Sequence, residues 1–306
     1  MKTNNSLKGC VALFLTAGIW GSAFLFQKLC ANYPFQTNCL RFLLGAIFLL
    51  IIYFVYSFIK RKKLNPITKE EKKKSFIGGV ICGITLSLAT TLQQLGLTFG
   101  TTAGKSGFLT ALYIVIIPII GLIFGKKQQF KTWALAILAF FGAFLMSFSS
   151  KEAFLIGDLL TIFCAIVFAV NVITVGKFSK GADAILFSFY QCLFSGLISL
   201  IFLAFGVGLK FEELSASTLS EIIFSVLYVA VMSSGIAYTL QIVGQKYTSP
   251  ESASIIMSLE SVFSVIFGVI FLKETVSLTC FFGIICILTS SILTQIDFGK
   301  IRNGKN

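Results

Sequence analysis

Glu260 stands ten residues after Pro250 in an apolar run, with Ala253, Met257 and Ser264 on its face at helical spacing. A carboxyl group in such a setting is costly unless it faces protein or water, so it is a candidate for contacting the substrate or coupling transport to a proton. The alternative is a structural glutamate that bonds a neighbouring helix or caps a broken one. Lys105 is flanked by Ala103, Gly104, Ser106 and Gly107. Such small neighbours let helices pack closely and leave a crevice in which an ammonium group pairs with a substrate carboxylate. Equally, its long stem can snorkel to an interface. Tyr113 carries a hydroxyl that needs a partner at depth. Gln93 and Gln241 each donate and accept, which suits a polar ligand such as an amino acid, or else a bond between helices. Trp20, Asn171 and Tyr238 complete the set, the two aromatics being equally suited to packing.

The chemistry these residues offer is recognition rather than catalysis. The chain has no histidine, which removes the commonest metal ligand and general base. No metal or other cofactor is expected. The acids Glu152, Asp158, Glu212, Glu213 and Glu221 are scattered without catalytic spacing, and no GxxxxGK[ST] phosphate loop occurs. The eight cysteines form no CxxC pair and read as small hydrophobes, although Cys30 and Cys39 flank one short loop and a disulfide there is conceivable.

The elements that position these groups follow from composition. The chain is 56% hydrophobic, 12% charged and has a mean hydropathy of +0.92. Ten apolar blocks, at 8–31, 36–58, 76–97, 103–124, 130–150, 155–176, 184–205, 221–243, 250–271 and 278–296, each approach the about 20 residues that cross a bilayer as a helix. The longest polar stretch between blocks is Lys60–Ser75. The first block is too long for a cleaved signal and reads as a span. With the N-terminus inside, nineteen Lys and Arg residues fall in inner segments, whereas only Lys151, Lys210 and Lys273 fall in outer ones. That bias places both termini in the cytoplasm, in the cell (inner) membrane, and accounts for the net charge of +13 without nucleic acid. Lys28 and Arg41, near outer ends of spans, read as interface anchors.

The chain is also duplicated. Residues 89–96 (ATTLQQLG) recur as 237–244 (AYTLQIVG), five of eight identical. Leu112, Val115, Ile119, Gly121, Ile123, Phe124 and Lys126 then meet Leu259, Val262, Ile266, Gly268, Ile270, Phe271 and Lys273. Residues 1–150 and 151–306 form two five-span units. Because five is odd, the second unit enters the membrane inverted, an arrangement that lets two halves rock about a midplane site. Gln93 and Gln241 are equivalent and fall on opposite sides of the midplane; Tyr113 answers Glu260, and Lys105 answers Ser252. The fold class is therefore an all-α integral membrane protein of ten transmembrane helices in two inverted repeats. Pro118 is expected to loosen span four and act as a hinge.

The run 101–118, TTAGKSGFLTALYIVIIP, resembles the fourth span of EamA-type members of the drug/metabolite transporter superfamily. The run 248–263, TSPESASIIMSLESVF, with FLKE at 271–274, is similar to their ninth span and following loop. Ile19-Trp20-Gly21-Ser22 and Leu40-Arg41-Phe42 fit as well. Lys273 stands where a glycine often precedes the glutamate, a departure confined to a loop. The resemblance covers nearly the whole chain. It implies export or exchange of small metabolites, often amino acids, through a central cavity lined by spans one, three, four, six, eight and nine. The partners expected are a small-molecule substrate and membrane lipid. An integral-membrane enzyme acting on a lipid-linked substrate and a channel are the competing classes. Small residues in spans five and ten (Gly142, Ala143, Gly283, Ser290, Ser291) suit packing either within the chain or between copies, and the phenylalanines are assigned no site role.

Overall fold

A computed structural model describes residues 2–63, 67–147, 154–206, 216–273 and 276–295. Lys151, Glu152, Lys210, Glu212, Glu213, Glu274, Lys300, Arg302 and Lys305 lie outside the described residues. Ten helical spans run through them. Spans one to three are Lys2–Leu29, Pro34–Lys63 and Lys69–Thr98. Span four is two pieces, Ala103–Ala111 and Tyr113–Ile123, and span five is Phe130–Ser147. Spans six and seven are Ile156–Phe178 and Ala184–Gly206. Span eight has three pieces, Ala216–Tyr228, a π-helical Val229–Ala237 and Tyr238–Gln245. Span nine is Pro250–Met257 and Leu259–Leu272, and span ten is Leu278–Gln295.

Eight spans are long and apolar enough to cross a membrane; spans five and ten offer apolar stretches of Phe130–Met146 and Leu278–Thr294. Seventeen residues rise about 26 Å, close to the hydrocarbon thickness. Span three starts earlier than hydropathy suggests, at Lys69, inside the basic stretch. Thr68 accepts from Glu71 N at 3.2 Å and Glu71 Oε2 accepts from Thr68 N at 2.8 Å, a reciprocal cap that starts a helix irrespective of polarity.

The packing repeats with the sequence. Span one lies against spans eight and nine, and span six against spans three and four. Span two packs along span seven, and span five along span ten. Exchanging the halves maps each contact onto its equivalent, the signature of a pseudo-two-fold axis between inverted repeats. The five–ten interface is internal to the chain. A Cβ added at Gly142 would lie 2.7 Å from Gly283 O, and Ser290 donates to Leu135 O at 2.6 Å. Those two contacts are themselves repeat equivalents, since 142 pairs with 290 and 135 with 283. Ile51, Phe54, Val55 and Phe58 face outward on span two, while small and polar residues such as Ser87, Ser195 and Ser234 are buried. Apolar outside and small inside is how helices pack where lipid supplies no hydrophobic driving force. All eight cysteines are free, Cys30 and Cys39 included, so the conceivable disulfide is not formed.

Candidate functional site

Two broken helices build the centre of the molecule. Span four is interrupted at Leu112 and span nine at Ser258, at nearly equivalent positions of the repeat. The causes differ. In span four Pro118 has no N–H for Ile114 O, and the preceding turn tightens, with Leu112 N bonding Leu109 O at 3.3 Å. The discontinuity therefore lies six residues before the proline rather than at it. In span nine the Ile255 carbonyl accepts two hydroxyls, Ser258 Oγ at 2.6 Å and Ser291 Oγ at 3.0 Å, which compete with the helical ladder. Each break is followed within two residues by a functional candidate, Tyr113 after Leu112 and Glu260 after Ser258. Tyr113 and Glu260 are both buried, and Tyr113 Oη donates to Glu260 Oε1 at 3.4 Å.

Around this pair lies a small cavity lined by residues of both halves. Its lining follows the repeat. Trp20 and Phe168, Phe24 and Val172, and Gln93 and Gln241 all line it and are equivalents at an offset of 148. Thr110 and Met257, then Tyr113 and Glu260, are equivalents at 147. Gly21 explains how Trp20 arrives there, since a Cβ at that position would lie 2.6 Å from Glu260 O, so only glycine lets span one approach so closely. Trp20 also meets Tyr238, their rings 5.1 Å apart. Gln93 donates to Thr110 Oγ1 at 3.1 Å. Neither amide atom of Gln241, nor Trp20 Nε1, has a protein hydrogen-bond partner among the described residues, although all three are buried. Buried polar groups are normally satisfied, so unpartnered ones lining a cavity mark where a ligand or water bonds. Phe24 and Phe168 belong to the lining, against the expectation that no phenylalanine would.

The remaining lining residues are Gln27, Arg41, Ser233 and Tyr238. Arg41 was expected at the interface. It is instead 2% exposed, with Nε donating to Ser234 Oγ at 3.1 Å, Nη2 to Ser233 Oγ at 3.0 Å and Nη1 to Gln27 Oε1 at 3.2 Å. Span two thus joins the six spans expected to line the cavity. The signal was present as a face: Thr37, Asn38, Arg41, Phe42 and Ala46 fall at helical spacing and are all buried.

Two expected ligand residues lie elsewhere. Lys105 does not line the cavity. Its Nζ pairs with Asp158 Oδ2 at 2.6 Å, and Asp158 also accepts from Thr101 Oγ1 at 2.9 Å and Leu155 N at 2.8 Å. The ammonium thus ties the start of span four to the start of span six, and Asp158 is a buried acid held by three donors. Asn171 is also outside the cavity. It donates to Cys82 O at 3.0 Å and Thr85 Oγ1 at 2.9 Å, linking spans six and three. Lys28 is no simple interface anchor either, donating at 3.2 Å each to Leu97 O in the last turn of span three and to Thr101 O just beyond it. Among the described residues no group of three His, Cys, Asp or Glu is placed to hold a metal ion.

A cavity with buried, unpartnered polar groups at a repeat axis, inside a multi-pass membrane bundle, offers a place for a small solute to bind. Relatives agree in kind. The chain is 30% identical over 289 residues to an uncharacterized transporter of Archaeoglobus fulgidus, covering 94% of this chain and 85% of that protein. It is 27% identical over 313 residues to an uncharacterized transporter of Clostridium kluyveri, covering 97% and 96%. A solved crystal structure shares the fold at a TM-score of 0.72 and 15% identity, covering 95% of this chain and 96% of that one. The model of the EamA-like transporter family matches twice, at residues 7–148 and 155–296, one match per inverted repeat. A membrane bundle with this duplication, this cavity and these relatives belongs to the EamA-like transporter family.

Proposed function

We propose that this transporter exports or exchanges amino acids or related small metabolites by alternating access, from the cell (inner) membrane with both termini cytoplasmic. Its two units are residues 1–150 and 151–306. Trp20, Gln93, Tyr113, Tyr238, Gln241 and Glu260 hold the solute; Lys105 and Asn171 hold the scaffold around it. The observation that carries this reading is the cavity on the axis, walled by equivalent residues of the two halves.

Two glycine contacts support alternation. At the end of the bundle assigned outside, a Cβ on Gly96 would lie 2.9 Å from Gly157 O. At the end assigned inside, a Cβ on Gly9 would lie 3.0 Å from Gly244 O. Gly96 and Gly244 are repeat equivalents, as are Gly9 and Gly157. The cavity is thus flanked by one closure used twice, and parting either one opens a path to one side. Metabolite profiling of medium from cells with and without the protein tests the proposal. Export raises specific amino acids or related metabolites outside; an unchanged profile counts against it. A product of altered mass would point to an enzyme.

A further inference from the structure

We infer that Arg41 recognises a carboxylate on the transported solute, and that Ser233 and Ser234 position it to do so. The inference rests on the transport reading and narrows its substrate class to carboxylate-bearing solutes over simple amines.

Arg41 breaks the symmetry of the cavity. Span seven, the repeat counterpart of span two, contains no Lys or Arg and contributes nothing to the lining. A guanidinium buried this deeply is costly without an anion. Yet among the described residues no carboxylate lies within 4.0 Å of Arg41. Its three bonds go to neutral oxygens and its guanidinium lies 5.0 Å from the Phe42 ring centre, contacts that orient the group and leave it without an anion. Of five guanidinium N–H groups, those bonds use one on Nε and one on each terminal nitrogen. One N–H remains on each terminal nitrogen, free to donate to a carboxylate oxygen.

The seating is built for this. Ser233 and Ser234 are adjacent in sequence, yet both reach Arg41, from within the nine-residue π-helical segment Val229–Ala237. A π-helical turn widens the helix, and such turns concentrate at functional sites. Gln27 completes the cradle, its main-chain carbonyl accepting from Gln94 Nε2 at 3.0 Å. Glu260 lines the same cavity without touching Arg41, so a solute bearing both an ammonium and a carboxylate meets a complementary group for each.

The test uses purified protein in liposomes loaded with the twenty standard L-amino acids or, in parallel, with the matching decarboxylated amines; efflux is read by mass spectrometry. The wild type should release a subset of the amino acids about tenfold faster or more than the matching amines. Arg41→Gln should lower amino-acid efflux by about tenfold or more, with Arg41→Lys intermediate. Ser233→Ala combined with Ser234→Ala leaves the charge but unseats it. That variant should raise the half-saturation concentration severalfold with a maximal rate within about twofold of wild type. Thermal unfolding and monodispersity monitor folding, and where Arg41→Gln misfolds, the lysine and double-serine variants decide. If amines leave as fast as amino acids, or folded Arg41 variants keep wild-type amino-acid kinetics, the inference is wrong while the carrier reading stands. If the wild type releases neither class, the carrier reading fails and takes the inference with it.

Discussion

Tyr113 and Glu260, 147 residues apart and equivalent in the internal repeat, meet each other at the centre of the molecule, the phenol donating to the carboxyl at 3.4 Å. Two copies of one position touch only where a two-fold axis passes between them. The contact therefore marks the axis, and the duplicated scaffold carries different chemistry on its two sides.

Glu260→Gln keeps the size of the side chain and an acceptor for Tyr113. It is predicted to fold normally and to lower transport by about tenfold or more, as loss of an intramembrane carboxyl with a functional role should. Initial rates across a pH series check this; wild-type rates at every pH would remove Glu260 from the mechanism. Tyr113→Phe removes one hydrogen bond, about 1 kcal/mol, and should cost only severalfold.

Lys105→Met leaves Asp158 buried without its cation. Because the lysine is partly exposed, the expected loss is at the low end for broken ion pairs, about 1–3 kcal/mol. Thermal unfolding in detergent should show it, and Lys105→Met with Asp158→Asn should recover part of it. Half-saturation should stay within about twofold, since the ammonium lies outside the cavity. A large, substrate-specific rise would place Lys105 on the solute after all.

Gly96→Val and Gly244→Val wedge equivalent closures at opposite ends. Both should slow exchange, but they should bias access in opposite directions. With Thr110→Cys as a cavity reporter in a cysteine-free background, an impermeant maleimide added outside should react faster in Gly96→Val than in Gly244→Val. Equal reactivity in the two would refute the paired-closure reading.

Asn171→Leu deletes two bonds from span six to span three. Interhelical bonds in membranes average about 0.6 kcal/mol, so a stability loss of about 1 kcal/mol is expected with half-saturation unchanged. A severalfold rise in half-saturation without a stability loss would assign Asn171 to the solute.

What the sequence made legible was what depends on composition and identity. The ten spans follow from hydropathy, and the pairing of Gln93 with Gln241 and of Tyr113 with Glu260 follows from repeated residues. What it hid depends on direction and on distant partners. The buried face of span two carries its polar residues, Thr37, Asn38 and Arg41, only near its outer end, where polar groups equally suit a membrane interface, so Arg41 resembled an anchor. The π-helical turn that brings Ser233 and Ser234 together has no compositional mark in span eight. Lys105 looked like a ligand because Asp158, 53 residues later and in the other half, could not be paired with it before the fold placed both at one end of the bundle. Pro118 signalled a break but not its position, since the strain is taken up a turn and a half upstream.

Counterflow tests the account most directly. Liposomes carrying the wild-type protein are preloaded with unlabelled amino acids, and uptake of trace labelled amino acids is followed without any other gradient. An alternating-access carrier should show a transient overshoot that saturates with substrate and collapses in Glu260→Gln. Linear uptake with no trans-stimulation, or an ohmic current in its place, would contradict it.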